Sequence, residues 1–294
     1  MTVKEAAKTF DEQRKRCKMM YIFYGIGMIV ALAFMFLQEM KSALLIFVIM
    51  LLIYFLLVRS GIKQYTARWR EYCVRKFTEP HFEPVTYSYR VKAAEEELFL
   101  RHVMMPQAEK GKLIAHNKAT GSNAGIDAVF MDATVTTGSF TGTRFHSGCW
   151  MGMKLDSKVT EPLRIVKGEI LSGSMYEDLL TESEGMRKCE TPENMPEDVA
   201  FYSASGKAEL EESMQFALRE LLREIPGTGI VELDAEGLFV FLPHRLINKL
   251  PPSLKFPVTE EMIEQVTFPE IDKAYMLALT MRRKRLASGN EEQA

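Results

Sequence analysis

Two uncharged segments, MMYIFYGIGMIVALAFMFL (Met19 to Leu37) and SALLIFVIMLLIYFLLV (Ser42 to Val58), organise the chain. Four residues, Gln38-Glu39-Met40-Lys41, separate them. As helices the segments would be roughly 28 Å and 26 Å long, close to the thickness of about 30 Å of a bilayer's hydrocarbon core. The sequence therefore predicts a transmembrane helical hairpin with spans at about 19–37 and 42–58.

Two other structures fit this stretch less well. A secretory signal peptide has a shorter apolar region and a small-residue cleavage site, whereas here a second apolar run follows at once. A buried hairpin in a soluble protein would need a very large core, because residues 19–58 carry charges only at Glu39 and Lys41. Both alternatives are therefore disfavoured by the composition of the segment.

Basic residues flank the predicted hairpin on both sides. Residues 1–78 contain 13 Lys and Arg against 5 Asp and Glu. Because positive residues are retained on the cytoplasmic side, both termini are predicted to be cytoplasmic. The candidates for contact with anionic lipid at the membrane surface are Arg14, Lys15, Arg16, Lys18, Arg59 and Lys63.

The segment Glu79-Pro80-His81-Phe82-Glu83-Pro84 marks the end of this region, because two prolines four residues apart cannot continue a helix. We expect a transmembrane hairpin with juxtamembrane helices at 1–78 and a cytoplasmic domain at 79–294. The second region holds 24 Lys and Arg against 34 Asp and Glu, which argues against nucleic-acid binding. In a reducing compartment the four cysteines, Cys17, Cys73, Cys149 and Cys189, are predicted to be free thiols.

Aromatic and apolar residues repeat at helical spacing on both sides of the hairpin. Phe10 lies in such a stripe before the first span, and Tyr65, Trp69 and Tyr72 lie in one after the second. We expect both membrane helices to continue into the cytoplasm and to pack on each other there. The alternative is an interfacial aromatic belt. Acylation of Cys17 or Cys73 is a less favoured alternative to simple burial.

The predicted fold class of the chain is α+β. Residues 126–136, 145–155 and 163–166 have the composition of strands and form an antiparallel meander, because their connections are too short for crossover helices. Residues 199–203 predict another strand, and residues 230–242 a β hairpin. Helices are predicted at 93–105, at 207–225 with Ser205 as the cap, and at 243–250, 259–266 and 269–286, with a loop at 181–198.

The order of these elements resembles a bacterial membrane-anchored family known as domain of unknown function 3137. The similarity rests on the paired spans, the run Gly138-Ser139-Phe140-Thr141-Gly142 within a β-rich stretch, the strand Val199–Ser203, a leucine-rich helix and the hairpin that ends at Leu242. It covers most of residues 19–245. The resemblance implies a bacterial inner-membrane protein with a cytoplasmic domain, and it supplies no catalytic residues.

Candidate reactive residues do not form a recognisable catalytic or metal-binding motif. Ser139 is off-centre between glycines and precedes β sequence, unlike the serine of a nucleophile elbow. His146 and Cys149 are three apart and would face opposite sides of a strand. His244 is predicted to lie at a helix start. The sequence therefore predicts no catalytic residue, no cofactor and no metal ligand.

The cluster Arg282, Arg283, Lys284 and Arg285 has two interpretations. These residues either dock on anionic lipid or complement the negative end of their own helix. The favoured function is a membrane-anchored scaffold or regulatory protein whose partners are the lipid bilayer and an unknown protein, with homo-oligomerisation as a further option. A membrane-tethered enzyme of hydrolase type is the alternative. A small channel or transporter component is disfavoured, because neither span carries an ionisable residue.

Overall fold

The computed structural model describes residues 1–37, 40–91, 112–139, 142–168, 185–244, 246 and 252–283. The chain forms two compact units. We call the first the helical unit, made of Met1–Cys73 and Lys249–Thr267, and the second the sheet unit, made of Val74–Asn248 and Phe268–Ala294. The predicted helices at 93–105 and 243–250 fall wholly or largely outside the described residues.

The N-terminal helices are long and nearly continuous. Helix α1 spans Val3–Phe36 and α2 spans Met40–Ile53. A π-helical turn at Tyr54–Val58 leads directly into α3, which spans Arg59–Thr78. Helix α1 begins with a capping box, in which the Thr2 hydroxyl accepts the N–H of Glu5 and the Glu5 carboxylate accepts the N–H of Thr2.

The parts of α1 and α3 that lie outside the predicted spans pack through aromatic rings. The ring of Phe10 contacts those of Tyr65, Trp69 and Tyr72 edge-on, with centroid distances of 6.4, 5.1 and 5.3 Å. Trp69 is 2% exposed. This confirms the prediction that the two stripes pack on each other, and it excludes Trp69 from an interfacial belt.

Residues distant in sequence complete the helical unit. The guanidinium of Arg14 donates to the carbonyl oxygen of Leu254 at 3.0 Å. The hydroxyl of Tyr65 donates to the carbonyl oxygen of Pro252 at 3.1 Å. The carboxylate of Asp11 accepts the N–H of Val258 at 3.1 Å. The short helix α5, Glu260–Glu264, follows, capped by the hydroxyl of Thr259. The predicted helix at 259–266 is thus confirmed in a shorter form.

Within the described residues, nine strands form one antiparallel sheet in the order β1-β2-β3-β4-β9-β8-β5-β7-β6. The strands are Thr86–Arg90 (β1), Lys112–Asn123 (β2), Ile126–Ser139 (β3), Gly142–Lys154 (β4), Leu163–Lys167 (β5), Arg187–Lys188 (β6), Val199–Ser203 (β7), Gly229–Leu233 (β8) and Gly237–Leu242 (β9). The meander of β2, β3 and β4 and the β8–β9 hairpin confirm the predicted α+β class with an antiparallel sheet.

The middle of the sheet is buried on both faces. On β3, Phe130 and Met131 point to opposite faces, and both are fully buried. Every residue of β8 and β9 is buried as well. Helices α4, Glu212–Glu224, and α6, Pro269–Met281, pack on each other in this unit. This double coverage explains why the strands have continuous apolar sequences rather than an alternating pattern.

The predicted meander of residues 126–136, 145–155 and 163–166 is wrong in its third strand, because β5 pairs with β7 and β8 and not with β4. Two further predicted details of the sheet unit are wrong. Helix α4 begins at Glu212, not at Lys207, and its N-cap is Glu211, not Ser205. The Ser205 hydroxyl instead accepts the N–H of Lys207 at 3.2 Å, which holds the chain in a turn before the helix starts. The predicted loop at 181–198 contains the short edge strand β6. In both cases a local hydrogen bond or sheet pairing outweighs residue preference.

Candidate functional site

The apolar helices expose most of their large side chains. Ile29 on α1, Leu44 on α2 and Leu56 on the π-helical turn are 67%, 65% and 68% exposed. The most apolar 18-residue windows of the two helical stretches, Val3–Phe36 and Met40–Thr78, are only 6% and 17% buried. Both stretches are therefore long and apolar enough to cross a membrane, and they lack the burial expected of helices in a soluble core.

Five of the predicted membrane-surface cations lie exposed on the helical unit: Lys15, Arg16, Lys18, Arg59 and Lys63. In sequence they adjoin the ends of the predicted spans nearest the juxtamembrane helices. The guanidinium of Arg59 lies over the ring of Phe55, 5.6 Å from its centroid, one turn earlier on the same helical stretch. All five side chains are exposed to solvent, although the ammonium of Lys15 also pairs with the carboxylate of Asp11 at 2.9 Å.

Arg14 differs from the other predicted surface cations. It is 5% exposed, and its guanidinium donates to the carboxylate of Asp11 at 2.8 Å as well as to the carbonyl of Leu254. Because its side chain is buried in this network, Arg14 is a structural residue and is not available at the membrane surface. The sequence does indicate the burial of Arg14, because Arg14 lies one helical turn after Phe10 and therefore on the same buried stripe of α1.

The C-terminal cations contact the sheet unit. The guanidinium of Arg282 donates to the carbonyl of Ala124, and Arg282 pairs with Ser157 in an isolated bridge. The side chain of Arg283 lies 3.9 Å from the carboxylate of Asp156. Lys284 and Arg285 lie outside the described residues. Arg282 and Arg283 thus contact other residues of the sheet unit, an arrangement that neither interpretation of the cluster predicted.

A cleft of about 420 Å³ lies in the sheet unit, between the segment that enters β5 and the segment that joins β7 to α4. Its apolar lining consists of Val159, Leu163, Leu210 and Met214. Its charged lining consists of Lys158, Glu161, Lys207, Glu209 and Glu211. Five of its eleven lining residues are charged and four are apolar, so the cleft is more polar than a typical small-molecule site.

Hydrogen bonds fix both walls of this cleft. The ammonium of Lys158 lies 2.8 Å from the carboxylate of Glu211, which joins the two walls. The carboxylate of Glu161 accepts the N–H of Ser205 at 2.5 Å. This backbone hydrogen bond, together with one from the Ser205 hydroxyl, lowers the pKa of Glu161. Glu161 therefore stays ionised at neutral pH.

Ser203 forms the base of the wall that precedes α4. It is 1% exposed, and its hydroxyl donates to the carbonyl of Lys207 at 2.8 Å while accepting the N–H of the same residue at 3.0 Å. The thiol of Cys189, on the segment after β6, donates to the same hydroxyl at 3.3 Å. Ser203 thus shapes the cleft wall and is not an exposed nucleophile.

A second group of polar side chains is buried beside β3. The carboxylate of Asp132 accepts the amide of Asn117 at 2.7 Å and the N–H of Leu246 at 2.5 Å. Asn117 adopts a φ of +55° at an irregularity in the β2–β3 pairing, between His116 and Ala119. These contacts hold the chain after β9 against the sheet, which is a structural role.

Cys149 pairs with Asp132 across β3 and β4 and is fully buried. Burial, followed by the nearby carboxylates of Asp132 and Glu270, raises the pKa of its thiol well above the ordinary value. A reactive cysteine requires the opposite, a lowered pKa and exposure. The prediction that the four cysteines are free thiols is confirmed, and the structure shows that all four are buried.

The remaining candidate residues lie apart from the cleft. The imidazole of His244 lies 3.2 Å from the carboxylate of Glu270, and its ring contacts that of Phe268. Ser139 ends β3 and pairs with Gly142 at the start of β4, so it belongs to a strand connection and not to a strand-to-helix elbow. His146 lies on β4, and its side chain is outside the described part of the structure. Among the described residues, no three metal-ligating side chains come together.

The fold and these surfaces define an α+β protein with an antiparallel sheet and two helical stretches long enough to cross a membrane. Comparison of the chain with protein families, with curated proteins and with solved structures finds no match.

Proposed function

We propose that this chain is a membrane-anchored binding protein, a scaffold or regulator of the bacterial inner membrane. The helical hairpin would span the bilayer at about 19–37 and 42–58, and the sheet unit would hold a protein partner in the cytoplasm. The observation that carries the proposal is the exposure of large apolar side chains along both helical stretches, because such a surface is unstable in water and stable in lipid.

The proposed orientation follows from the exposed cations. Lys15, Arg16 and Lys18 precede the first span, and Arg59 and Lys63 follow the second, whereas the connection between the spans carries only Lys41, next to Glu39. Under the positive-inside rule, both termini would then lie in the cytoplasm and residue 41 on the opposite side. The resemblance to domain of unknown function 3137 supports the same arrangement.

Cysteine labelling tests this arrangement in the full-length protein. The native thiols are buried, so single exposed cysteines introduced by Lys41→Cys, Lys4→Cys and Ala204→Cys would react selectively with a membrane-impermeant maleimide. We expect Lys41→Cys to be labelled in spheroplasts, and Lys4→Cys and Ala204→Cys to be labelled only in inside-out vesicles. All three variants should stay in the membrane pellet after alkaline carbonate extraction.

Two results would overturn the membrane proposal. Release of the protein by carbonate would exclude spanning helices, and labelling of Ala204→Cys from outside would exclude a cytoplasmic sheet unit. The binding role is tested by affinity capture of the detergent-solubilised full-length protein, beside an unrelated two-span protein, read by mass spectrometry. Retention of a stoichiometric protein partner is expected, and retention of no protein would contradict a scaffold.

A further inference from the structure

We infer that residues 253–257, which we call the strap loop, form a second contact with the bilayer. In this contact Phe256 enters the interfacial layer and Lys255 lies among anionic lipid headgroups. The inference rests on the proposed function, because it requires that the helical hairpin spans the bilayer. It adds a membrane contact from a segment that lies far from both spans in sequence.

Hydrogen bonds hold the strap loop on the first helix of the helical unit. The carbonyl oxygen of Leu254 accepts a hydrogen bond from the guanidinium of Arg14 at 3.0 Å. Just after the loop, the N–H of Val258 donates to the carboxylate of Asp11 at 3.1 Å. Both partners belong to α1, which continues directly into the first predicted span. The position of the loop relative to the span is therefore fixed by α1.

The strap loop presents an aromatic side chain at its surface. The hydroxyl of Ser253 accepts the N–H of Lys255 at 3.2 Å, which forms a turn just before Phe256. Phe256 is 67% exposed, more than any other described phenylalanine outside the predicted spans. One exposed phenylalanine does not by itself indicate a binding surface. Its place beside the span is what points to lipid.

The strap loop lies close to the predicted edge of the bilayer. Arg14 and Asp11 precede Met19, where the first predicted span begins, by five and eight residues. Along a helix these separations are about 7.5 Å and 12 Å. The headgroup layer of one leaflet is roughly 5–7 Å thick. Phe256 lies in the chain between the two attachment points, so its main chain is about one helical turn or less outside this layer, a distance that its side chain can bridge.

Exposed cations on the same side of α1 favour an anionic surface. Lys15 and Lys18 follow Asp11 and Arg14 by one helical turn each, so they lie on the face that holds the strap loop, toward the span. Lys255 in the loop is exposed as well. The carboxylate of Asp11 is already paired with Arg14 and Lys15. A basic face of this kind attracts anionic lipid more strongly than neutral lipid.

Spin labelling of the full-length protein in liposomes of phosphatidylethanolamine and phosphatidylglycerol tests the depth of the loop. The native thiols are buried, so Phe256→Cys would take up an apolar nitroxide selectively. Collisions of the nitroxide with oxygen, which concentrates in lipid, are compared with collisions with a water-soluble nickel chelate. The matched control is Phe216→Cys, at an exposed phenylalanine of α4. We expect the oxygen-to-nickel ratio at position 256 to exceed that at position 216 at least about twofold.

Charge reversal tests the contribution of the headgroups. In the labelled Phe256→Cys protein, Lys255→Glu should lower the oxygen-to-nickel ratio in the anionic liposomes and leave it unchanged in liposomes of phosphatidylcholine alone. Lys154→Glu makes the same change at an exposed lysine of β4 and should have no effect in either lipid. Equal effects of the two reversals would contradict the assigned role of Lys255.

Two results at position 256 would overturn the inference. A ratio equal to that at position 216 would place the loop in water, and low collision rates with both reagents would place it against protein, such as a second copy of the chain. Labelled Ile29→Cys, at an exposed position of α1, separates this failure from that of the anchor. A high ratio at position 29 with a low one at position 256 would keep the spanning hairpin and reject the loop contact. A low ratio at both positions would contradict the membrane proposal itself.

Discussion

The ammonium of Lys167, at the end of β5, donates a hydrogen bond to the carbonyl oxygen of Leu222, in the last turn of α4, at 2.6 Å. It also donates to the carbonyl oxygen of Ile225 at 2.7 Å. The last carbonyls of a helix lack partners within it and carry partial negative charge. A buried cation from the sheet therefore terminates α4 and fixes it to β5.

Replacing this cation should destabilise the sheet unit. Lys167→Met keeps the length of the side chain but leaves two buried carbonyls without their donor, so we expect a loss of about 1–3 kcal/mol in the free energy of unfolding. Denaturant unfolding of the detergent-solubilised protein can be followed through Trp150 in a Trp69→Phe background. The control, Lys154→Met, removes an exposed lysine of β4 and should change stability by less than about 0.5 kcal/mol. Equal losses for the two variants would contradict the assigned role of Lys167.

The contact between Lys167 and Leu222 illustrates which features the sequence could not reveal. The stripe of Met214, Ala217, Leu218 and Leu221 predicted α4 through its helical period, because packing follows directly from that spacing. The lysine lies 55 residues from the carbonyl that it caps, and nothing local marks it as buried. Likewise, the pairing of β3 with β4 was predictable from β-rich segments joined by a short connection. Strand β2 was not predicted, and the position of β5 between β8 and β7 follows from contacts between distant segments.

The same distinction applies to the candidate sites. The apolar spans and their flanking cations are contiguous in sequence, so composition alone predicted them. The cleft unites Lys158 with Glu211, which are 53 residues apart, and neither residue type is unusual at an exposed position. The attachment of residues 252–258 to the helical unit depends on Asp11 and Arg14, more than 200 residues earlier, and could not be foreseen from local pattern.

Gly237 should be intolerant of any side chain. It begins β9 with a φ of +148°, and a Cβ there would overlap the carbonyl oxygen of Met153 on β4. Backbone strain of about 1–2 kcal/mol and steric overlap of about 1–3 kcal/mol both oppose alanine. We therefore expect Gly237→Ala to lower the free energy of unfolding by about 3 kcal/mol or more, measured by the same fluorescence assay.

Gly125 provides the matched control for this prediction. It also has a positive φ, of +75°, but a Cβ there would meet no atom within 4 Å. Gly125→Ala should therefore cost only the backbone term of about 1–2 kcal/mol. If both variants lost the same stability, steric exclusion by Met153 would play no part at Gly237.

The thiol of Cys149 should be unreactive in the native protein. It is fully buried, and burial and neighbouring carboxylates raise its pKa, so at pH 8 both access and the thiolate fraction are low. With Ellman's reagent we expect the wild-type protein to react only after denaturation. Ala204→Cys, at an exposed position of the sheet unit, should add one rapidly reacting thiol. Rapid native reaction that Cys149→Ser abolishes would show that the thiol is accessible.

Asp11 should make the helical unit sensitive to acid. Burial by itself raises the pKa of its carboxyl, but hydrogen bonds from Lys15, Arg14 and the N–H of Val258 outweigh it, and the pKa falls from 3.8 to about 2. A group with a lowered pKa in the folded state stabilises that state above its unfolded pKa, and this contribution is lost as the pH falls through the folded value. The contribution of Asp11 is therefore complete above about pH 4 and disappears toward pH 2.

Asp11→Asn tests this dependence. The variant should be less stable than wild type at pH 7, because the amide cannot hold Arg14 and Lys15 as ion pairs, and the difference should shrink between about pH 4 and pH 2. Thermal unfolding of the helical unit can be followed through Trp69 in a Trp150→Phe background. Glu12→Gln removes the adjacent exposed carboxylate and should leave the pH profile parallel to that of wild type. A constant stability difference between Asp11→Asn and wild type across this range would mean that the carboxylate titrates near its ordinary pKa and that the contacts to Lys15, Arg14 and Val258 do not stabilise its charge.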